Sequence, residues 1–379
     1  MYSPSSHSNA LLELRNLQVS FLTEAGVVSV VDRVSIQIPR GRTVALVGES
    51  GCGKSVTALS ILRLIPQPPG RVDAGRIWFS GSPGEEPIDL LELNERRMRE
   101  IRGRRIAMIF QDPMTSLNPV YSIGEQIVEA IELHQPLRGR AAWAAAIELL
   151  RRVGIAAAEQ RAHDYAHQMS GGMRQRVMIA MALSCQPSLL IADEPTTALD
   201  VTIQLQILQR LRALQADSRM SILLITHDLG VVAEVADDVY VMYAGRIVEH
   251  GPAAGVLHRP LHPYTQGLLR CSPQLARPKE RLEVIPGGVP DPGHYPSACR
   301  FHPRCRLSAE RARDGSRSTI AVAPEIAGRR LRRCVEAFDA EPSGAPSLRE
   351  LEPNHHVACW EANSVDGVTA ELEGVSRAG

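Results

Sequence analysis

One stretch decides the fold of this 379-residue chain: Thr43-Val44-Ala45-Leu46-Val47-Gly48-Glu49-Ser50-Gly51-Cys52-Gly53-Lys54-Ser55. Its first residues are apolar or β-branched and predict a buried strand, and the glycines that follow predict a tight loop. Such a loop turns successive backbone N–H groups inward, and the next helix, expected from about Ser55 to Leu64, aims its positive end at the same point. The stretch therefore predicts a phosphate-binding loop, with Lys54 on the β- and γ-phosphates and the Ser55 hydroxyl on Mg²⁺.

Composition and charge restrict the classes of partner. Lys plus Arg equal Asp plus Glu at 42 each, so no overall field predicts a nucleic-acid partner. No apolar run approaches the roughly 18 residues of a membrane-spanning helix, and the start of the chain lacks an apolar signal core. We therefore expect a soluble, cytosolic chain. Its seven cysteines are not expected to form a disulfide framework, so a cluster among them would suggest metal binding or chemistry.

The segment before the phosphate loop predicts an antiparallel β layer. Short alternating runs extend from Leu11 to Ile38 and are interrupted by Gly26. Phe21 is the aromatic residue of this layer, and it is our candidate for stacking on an adenine ring. The alternative is an ordinary strand aromatic that faces the core.

Polar side chains follow several buried-looking strands further along the chain. They are Gln111, the pair Asp193 and Glu194, and His227. Because ligands bind at the carboxyl ends of parallel strands, we expect these four side chains to meet at one rim of a sheet. Asp193 would hold Mg²⁺, Glu194 would orient and deprotonate the attacking water, and Gln111 and His227 would contact the γ-phosphate. The amide oxygen of Gln111 is also a candidate Mg²⁺ ligand.

A second anion-binding element lies between these strand ends. Ser170-Gly171-Gly172 opens a helix expected to run to about Cys185, so its backbone N–H groups predict another phosphate contact. A helical segment from Ile123 to about Val153 precedes it and predicts an inserted helical layer. One chain cannot easily fold both anion sites onto the same phosphate.

Taken in order, these motifs resemble the nucleotide-binding subunit of ATP-binding-cassette transporters, over Leu11 to Gly251. The Ser-Gly-Gly element is specific to that superfamily. The resemblance implies an α/β fold with a RecA-like parallel sheet core, an N-terminal antiparallel β layer and an inserted helical subdomain. It also implies a head-to-tail dimer, in which Ser170 and Gly172 of one subunit close on ATP held by Lys54 of the other.

The resemblance assigns roles to individual positions. ATP is expected at Gly48, Glu49, Ser50, Gly51, Cys52, Gly53, Lys54, Ser55, Val56, Gln111, Ser170, Gly171, Gly172, Asp193, Asp200 and His227, with Phe21 as the aromatic candidate. Catalysis is expected from Lys54, Gln111, Glu194 and His227. Mg²⁺ is expected at Ser55, Gln111 and Asp193.

Three further sequence segments resemble the D-type ATPase of dipeptide and oligopeptide permeases. They are Asp112-Pro113-Met114-Thr115-Ser116-Leu117-Asn118-Pro119, Met173-Arg174-Gln175-Arg176 and His262-Pro263-Tyr264-Thr265. This implies peptide import with two integral-membrane permease subunits, a second, F-type ATP-binding subunit and an external substrate-binding protein. The chain would lie peripherally on the cytoplasmic face of the membrane, where Gln111 to Asn118 and the helical insert dock the permease. Relatives with similar ATPases carry nickel or other small solutes, and a non-transport ATP-binding-cassette protein is the third alternative.

The C-terminal region differs in composition and carries a cysteine pattern. From Pro260 onward the chain is rich in Pro, Gly, His, Arg and Cys. Its cysteines follow the spacing C-x5-C-x28-C-x24-C and are Cys299, Cys305, Cys334 and Cys359. D-type ATPases carry a similar tail that in some members holds a 4Fe-4S cluster. A cluster, a Zn²⁺ site that recruits His302, His355 or His356, and no metal therefore stay open.

The expected organisation is an ATP-binding-cassette domain over 10–259, with its helical insert at about 112–169. A small Cys-rich domain would follow over 260–362. The tail, 363–379, is polar and glycine-containing and is expected to be disordered.

Overall fold

The structure is a computed structural model, and it describes residues 10–111, 116–196, 200–272, 284–313, 318–321, 329–336 and 345–362. The first residues of the predicted helical insert, 112–115, and the predicted disordered tail, 363–379, lie outside the described residues. Within the described ranges, no helix is both long and apolar enough to cross a membrane.

The first sheet precedes and flanks the phosphate loop. It is antiparallel in the order β2-β1-β4-β5, and its strands are β1 (Ala10–Thr23), β2 (Gly26–Pro39), β4 (Gly70–Phe79) and β5 (Ile88–Asp89). The predicted antiparallel layer is therefore present, although its short alternating runs merge into two long strands. Irregular register along β1 accounts for this, because bulges let one strand continue where the strict alternation breaks.

The second sheet carries the functional residues. Its order within the described ranges is β13-β14-β10-β9-β3-β8-β7-β6, and β9, β3, β8, β7 and β6 run parallel. The strands are β3 (Thr43–Val47), β6 (Ile106–Ile109), β7 (Leu189–Asp193), β8 (Ser221–Thr226), β9 (Asp238–Tyr243), β10 (Arg246–Pro252), β13 (Arg349–Glu352) and β14 (His355–Val357). Strands β13 and β14 come from the Cys-rich region, so this region extends the sheet that contains β3, the strand before the glycine-rich loop.

Helices cover the sheets and form the insert. They are α1 (Lys54–Ile61), α2 (Glu95–Ile101), α3 (Ile123–His134), α4 (Arg140–Arg152), α5 (Ala158–Arg161), α6 (Gly171–Leu183), α7 (Val201–Ser218), α8 (Leu229–Val235), α9 (Ala253–His258), α10 (Pro263–Cys271), α11 (Arg306–Arg313) and α12 (Arg332–Val335). Short 3₁₀ turns lie at Ala166–Gln168, Pro292–His294 and His302–Arg304, and a small ribbon pairs β11 (Thr319–Ala321) with β12 (Arg329–Leu331). Helix α1 ends before the predicted Leu64, because Arg63 takes a left-handed backbone conformation with φ of 52°.

The helical insert is held by an N-terminal cap and an apolar face. The Ser122 hydroxyl accepts from the Glu125 N–H, and the Glu125 carboxylate accepts from the Ser122 N–H at 2.7 Å, which closes a capping box at the start of α3. Ile123, Ile127 and Ile131 then recur every four residues and are fully buried against α4 and α6. Each such side chain contributes about 1.5–3 kcal/mol through burial.

Candidate functional site

The phosphate loop is shaped by close approach of strand β9. All five residues of β3 are buried, and the chain then turns at Gly48 beneath the carbonyl oxygen of Met242. A Cβ atom on Gly48 would lie 2.2 Å from that oxygen, so no other residue fits without moving β9. The β9–β10 turn supports the loop from the same side, since the Gly245 N–H donates to the Cys52 carbonyl at 2.9 Å.

Lys54 and Ser55 lie where the motif predicts. The Lys54 ammonium is buried and donates to the carbonyls of Gly48 at 2.8 Å and Glu49 at 2.9 Å, so it folds back over the loop. The Ser55 hydroxyl hydrogen-bonds the Asp193 carboxylate. Two of the three predicted Mg²⁺ ligands therefore come together, although they are far apart in the sequence.

Asp193 is a buried carboxylate with unused bonding capacity. Burial raises its pKa, as does the neighbouring Glu194, and the hydrogen bond from Ser55 and the charge of Lys54 oppose that rise. Its Oδ1 atom is buried and has no hydrogen-bond partner among the described residues. An acceptor oxygen in this state is suited to a cation, which would compensate the desolvated charge.

Glu194, Gln111 and His227 form a second cluster at the same strand ends. The Glu194 Oε2 accepts from the Gln111 Nε2 at 3.0 Å, and its Oε1 lies 3.2 Å from the His227 Nδ1. Glu194 holds a left-handed backbone conformation with φ of 47°, fixed by its N–H bond to the Ile225 carbonyl at 2.9 Å. The Glu194 side chain is 11% exposed and that of His227 is 59% exposed, so the histidine covers the carboxylate from the solvent side.

The second anion-binding element starts α6 and is separate from the phosphate loop. The Ser170 hydroxyl caps α6 by accepting from the Met173 N–H at 3.3 Å, and Asp200 caps α7 by accepting from the Ile203 N–H at 2.9 Å. Among the hydrogen bonds of the described residues, none joins Ser170 to the phosphate loop. The γ-methyl of Ile203 lies beside Gly172, where a Cβ atom would be 2.9 Å away.

Phe21 lies on β1 next to the loop between α1 and β4. It is in register with Val28 on one side and Gly70 on the other, and its ring packs over Gly70. The side chain is half-buried against the core between the two sheets. Stacking of this ring on adenine stays a prediction.

The structure adds two contacts to the phosphate loop that the motif does not indicate. The Glu49 N–H donates to the Tyr264 hydroxyl at 2.8 Å, and the Glu49 carboxylate pairs with both Nη atoms of Arg304 at 2.7 and 2.9 Å. Both partners belong to the region beyond Pro260. Tyr264 belongs to the segment His262-Pro263-Tyr264-Thr265 that resembles the peptide permease ATPases, and Arg304 lies between two of the predicted cysteine ligands. The sequence motifs include both residues but do not indicate that they contact the phosphate loop.

The four C-terminal cysteines line one cavity, together with His262 and His302. Burial raises the pKa of the Cys299 thiol well above its usual value, with the other three cysteines adding to the rise, and burial raises that of Cys359 to about 12. His355, a candidate zinc ligand, instead places its Nε2 2.7 Å from Glu249. In the described part of the chain, no group of three or more His, Cys, Asp or Glu side chains is arranged to hold a metal ion.

Two family descriptions match the sequence. "ABC transporter" matches residues 31–197, and "Oligopeptide/dipeptide transporter, C-terminal region" matches residues 248–311. A putative peptide import ATP-binding protein of Brucella melitensis is 54% identical over 306 residues, which cover 79% of this chain and 90% of that protein. A probable peptide ABC transporter ATP-binding protein of Sinorhizobium fredii is 46% identical over 359 residues, which cover 94% of this chain and 97% of that protein.

Solved structures share the fold. An ATP-binding cassette in a dimeric post-hydrolysis state with ADP and Pi superposes with a TM-score of 0.57 and 24% identity, over 64% of this chain and 98% of that one. The cbiO1 protein of Clostridium perfringens, part of the ABC transporter complex cbiONQ, superposes with a TM-score of 0.55 and 26% identity, over 66% of this chain and 92% of that one. The expected cassette fold is thereby confirmed.

Proposed function

Because this chain belongs to the ABC transporter ATPases that carry an oligopeptide/dipeptide transporter C-terminal region, we propose that it hydrolyses ATP to power peptide import through a membrane permease. One observation carries this proposal. Lys54, the Ser55–Asp193 pair and the Glu194 cluster converge on the carboxyl ends of neighbouring parallel strands. A nucleoside triphosphate with its bound cation fits this arrangement of the Lys54 ammonium and the Asp193 and Glu194 carboxylates.

The residues divide the work of hydrolysis between them. The inward-facing N–H groups of the phosphate loop and the Lys54 ammonium bind and orient the β- and γ-phosphates. Glu194 is the general base that orients and deprotonates the attacking water, with Gln111 and His227 holding its two oxygens in place. Phosphoryl transfer needs little covalent help, so positioning and charge neutralisation supply most of the catalysis.

Ser55 and Asp193 would hold Mg²⁺, with Gln111 as the third candidate. The buried, unpartnered Oδ1 of Asp193 supports this donor set. When bound, Mg²⁺ neutralises charge on the β- and γ-phosphates. The chain's own contribution is the buried carboxylate and the hydroxyl that hold it.

The partners follow from two further surfaces. Ser170 and Gly172 would close on ATP held by Lys54 of a second ATP-binding subunit, since within the described residues Ser170 forms no hydrogen bond to its own phosphate loop. An apolar groove of about 320 Å³ lies between the end of α1 and the helical insert, and it exposes Phe110 and Leu133. This groove would receive the permease on the cytoplasmic face of the membrane, and an external binding protein would deliver the peptide.

The cysteine cavity is proposed to hold a 4Fe-4S cluster, with Zn²⁺ as the alternative. Four thiols line one cavity and are the donor set that such a cluster takes, although no three of the described side chains are arranged around a metal position, so a bound cluster would draw Cys299, Cys305, Cys334 and Cys359 together. A bound cluster would cross-link the Cys-rich region. Anaerobically purified chain should then show a broad band near roughly 400 nm and about four irons, both lost in Cys334→Ala. Colourless, metal-free protein would contradict this part of the proposal.

ATP hydrolysis by the chain assembled with its second ATP-binding subunit and permease tests the main proposal. Glu194→Gln should reduce the rate by about 10²-fold or more while MgATP affinity stays within a few-fold, because the amide keeps the shape but loses the base. Glu310→Gln, at an exposed position of α11 where Glu310 pairs with Arg306, is a matched control that should leave the rate unchanged. Full activity in Glu194→Gln would contradict the assigned base.

A further inference from the structure

One arginine of the Cys-rich region reaches the phosphate loop. Arg304 lies one residue before Cys305, and its guanidinium forms a two-pronged ion pair with the Glu49 carboxylate, at 2.7 and 2.9 Å. The two residues are 255 positions apart in the sequence. A planar guanidinium matched to a carboxylate in this way is the strongest and most directional ion pair that side chains form.

The guanidinium is fixed from its own side before it meets Glu49. Its Nε donates to the Pro286 carbonyl at 2.8 Å, and its Nη2 donates to the Gly287 carbonyl at 3.1 Å. The Arg304 side chain is 7% exposed and lies over the ring of Tyr243, 5.8 Å from the ring centre. Arg304 is therefore a preorganised cation, with little entropy left to lose when it pairs.

Glu49 carries this constraint into the site of phosphate binding. It follows Gly48 in the loop, its carbonyl accepts from the Lys54 ammonium at 2.9 Å, and its N–H donates to the Tyr264 hydroxyl at 2.8 Å. Without Arg304, the Glu49 carboxylate would be an uncompensated negative charge in the loop that has to receive a triphosphate. The ion pair both holds the loop backbone and cancels that charge.

We propose that Arg304 is a positioning residue for ATP: through Glu49 it holds the phosphate loop in its binding conformation, so that ATP affinity depends on the Cys-rich region. The inference rests on the proposed function and deepens it. It assigns the C-terminal region a direct part in nucleotide binding. It also requires that the carboxylate and the guanidinium act as a pair.

The experiment measures MgATP affinity, KM and kcat of the full chain for Arg304→Gln, the double variant Glu49→Gln/Arg304→Gln and the control Arg306→Gln. Arg306 is a matched control because it is two residues away, exposed, and paired within its own helix with Glu310. Arg304→Gln should weaken MgATP binding about tenfold, as expected for the loss of one charge-assisted pair, and the effect should grow at low salt. The kcat at saturating ATP should stay within about twofold.

Charge removal distinguishes positioning from simple unfolding. If Arg304 acts through Glu49, the double variant loses the uncompensated carboxylate and should recover most of the affinity that Arg304→Gln loses. Unchanged affinity in Arg304→Gln, or a double variant no better than the single one, would overturn the inference. Wild-type chain that binds MgATP with the expected dependence on Arg304 but does not hydrolyse it in the assembled transporter would contradict the proposed function alone.

Discussion

Removing the Glu249 carboxylate should detach the Cys-rich region from the ATP-binding sheet. Glu249 lies on β10 and is fully buried. Its carboxylate accepts three hydrogen bonds from C-terminal residues: from the backbone N–H groups of Leu261 at 2.8 Å and His262 at 2.9 Å, and at the His355 Nε2 at 2.7 Å. One side chain thus joins the start of the C-terminal region to its last strand, β14.

The expected loss of stability follows from the hydrogen-bond donors that Glu249→Ala would leave without an acceptor. The buried N–H group of His262, the partly buried N–H group of Leu261 and the buried imidazole of His355 lose their acceptor, and each orphaned polar group costs about 1–3 kcal/mol. The loss of the side chain's packing adds to this. We expect the free energy of unfolding of the region to fall by about 4 kcal/mol.

Urea unfolding followed by circular dichroism measures the change, and amide hydrogen exchange over 355–359 locates it. Glu310→Ala is the matched control, because Glu310 is an exposed glutamate of the same region and pairs with Arg306 within α11 at 2.7 Å. The control should cost about 0–1 kcal/mol. A loss below about 1 kcal/mol in Glu249→Ala, or unchanged exchange in β14, would refute the reasoning.

Three other substitutions test separate parts of the structure. Burial lowers the pKa of His250 to about 4, so the wild-type protein should lose stability as the pH falls from about 6.5 to 4. His250→Phe should reduce this loss, and thermal melts across that pH range measure the difference between the two proteins. Phe21→Ala should weaken MgATP binding about tenfold if the ring stacks on adenine, while a binding change below about twofold in calorimetry would favour the core-facing alternative. Asp193→Asn should raise the melting temperature of the nucleotide-free chain, because it removes a buried charge whose pKa burial raises, and should abolish Mg²⁺-dependent hydrolysis; a lower melting temperature would contradict the assigned desolvation.

The meeting of Gln111, Glu194 and His227 could be predicted because each position is encoded locally. Gln111, Glu194 and His227 each follow an apolar strand, and parallel strands bring their carboxyl ends to one edge, so three distant residues meet within hydrogen-bonding distance. The glycines of the phosphate loop were readable for the same reason. Position 48 requires glycine, however, because a Cβ atom there would lie 2.2 Å from the backbone of β9. No local sequence pattern predicts that β9 packs against this position.

The contacts between the two regions could not be predicted, because they depend on how distant segments pack. The short strands β13 and β14 carry too few residues to show a period. Strand β14 pairs with β10 and β13 with β14, and the buried Glu249 of β10 contacts His355 of β14. Arg304 lies between Cys299 and Cys305, a segment in which the cysteine spacing indicates a candidate metal site. Its ion pair with Glu49 is set by the tertiary fold alone.

Peptide uptake coupled to ATP hydrolysis tests the central claim most directly. The chain would be assembled with its permease subunits and second ATP-binding subunit in proteoliposomes, with the binding protein and labelled peptide outside. The account predicts ATP-dependent uptake that is lost together with hydrolysis in Glu194→Gln, and retained in the Glu310→Gln control. Hydrolysis without peptide uptake, or uptake that survives Glu194→Gln, would contradict it.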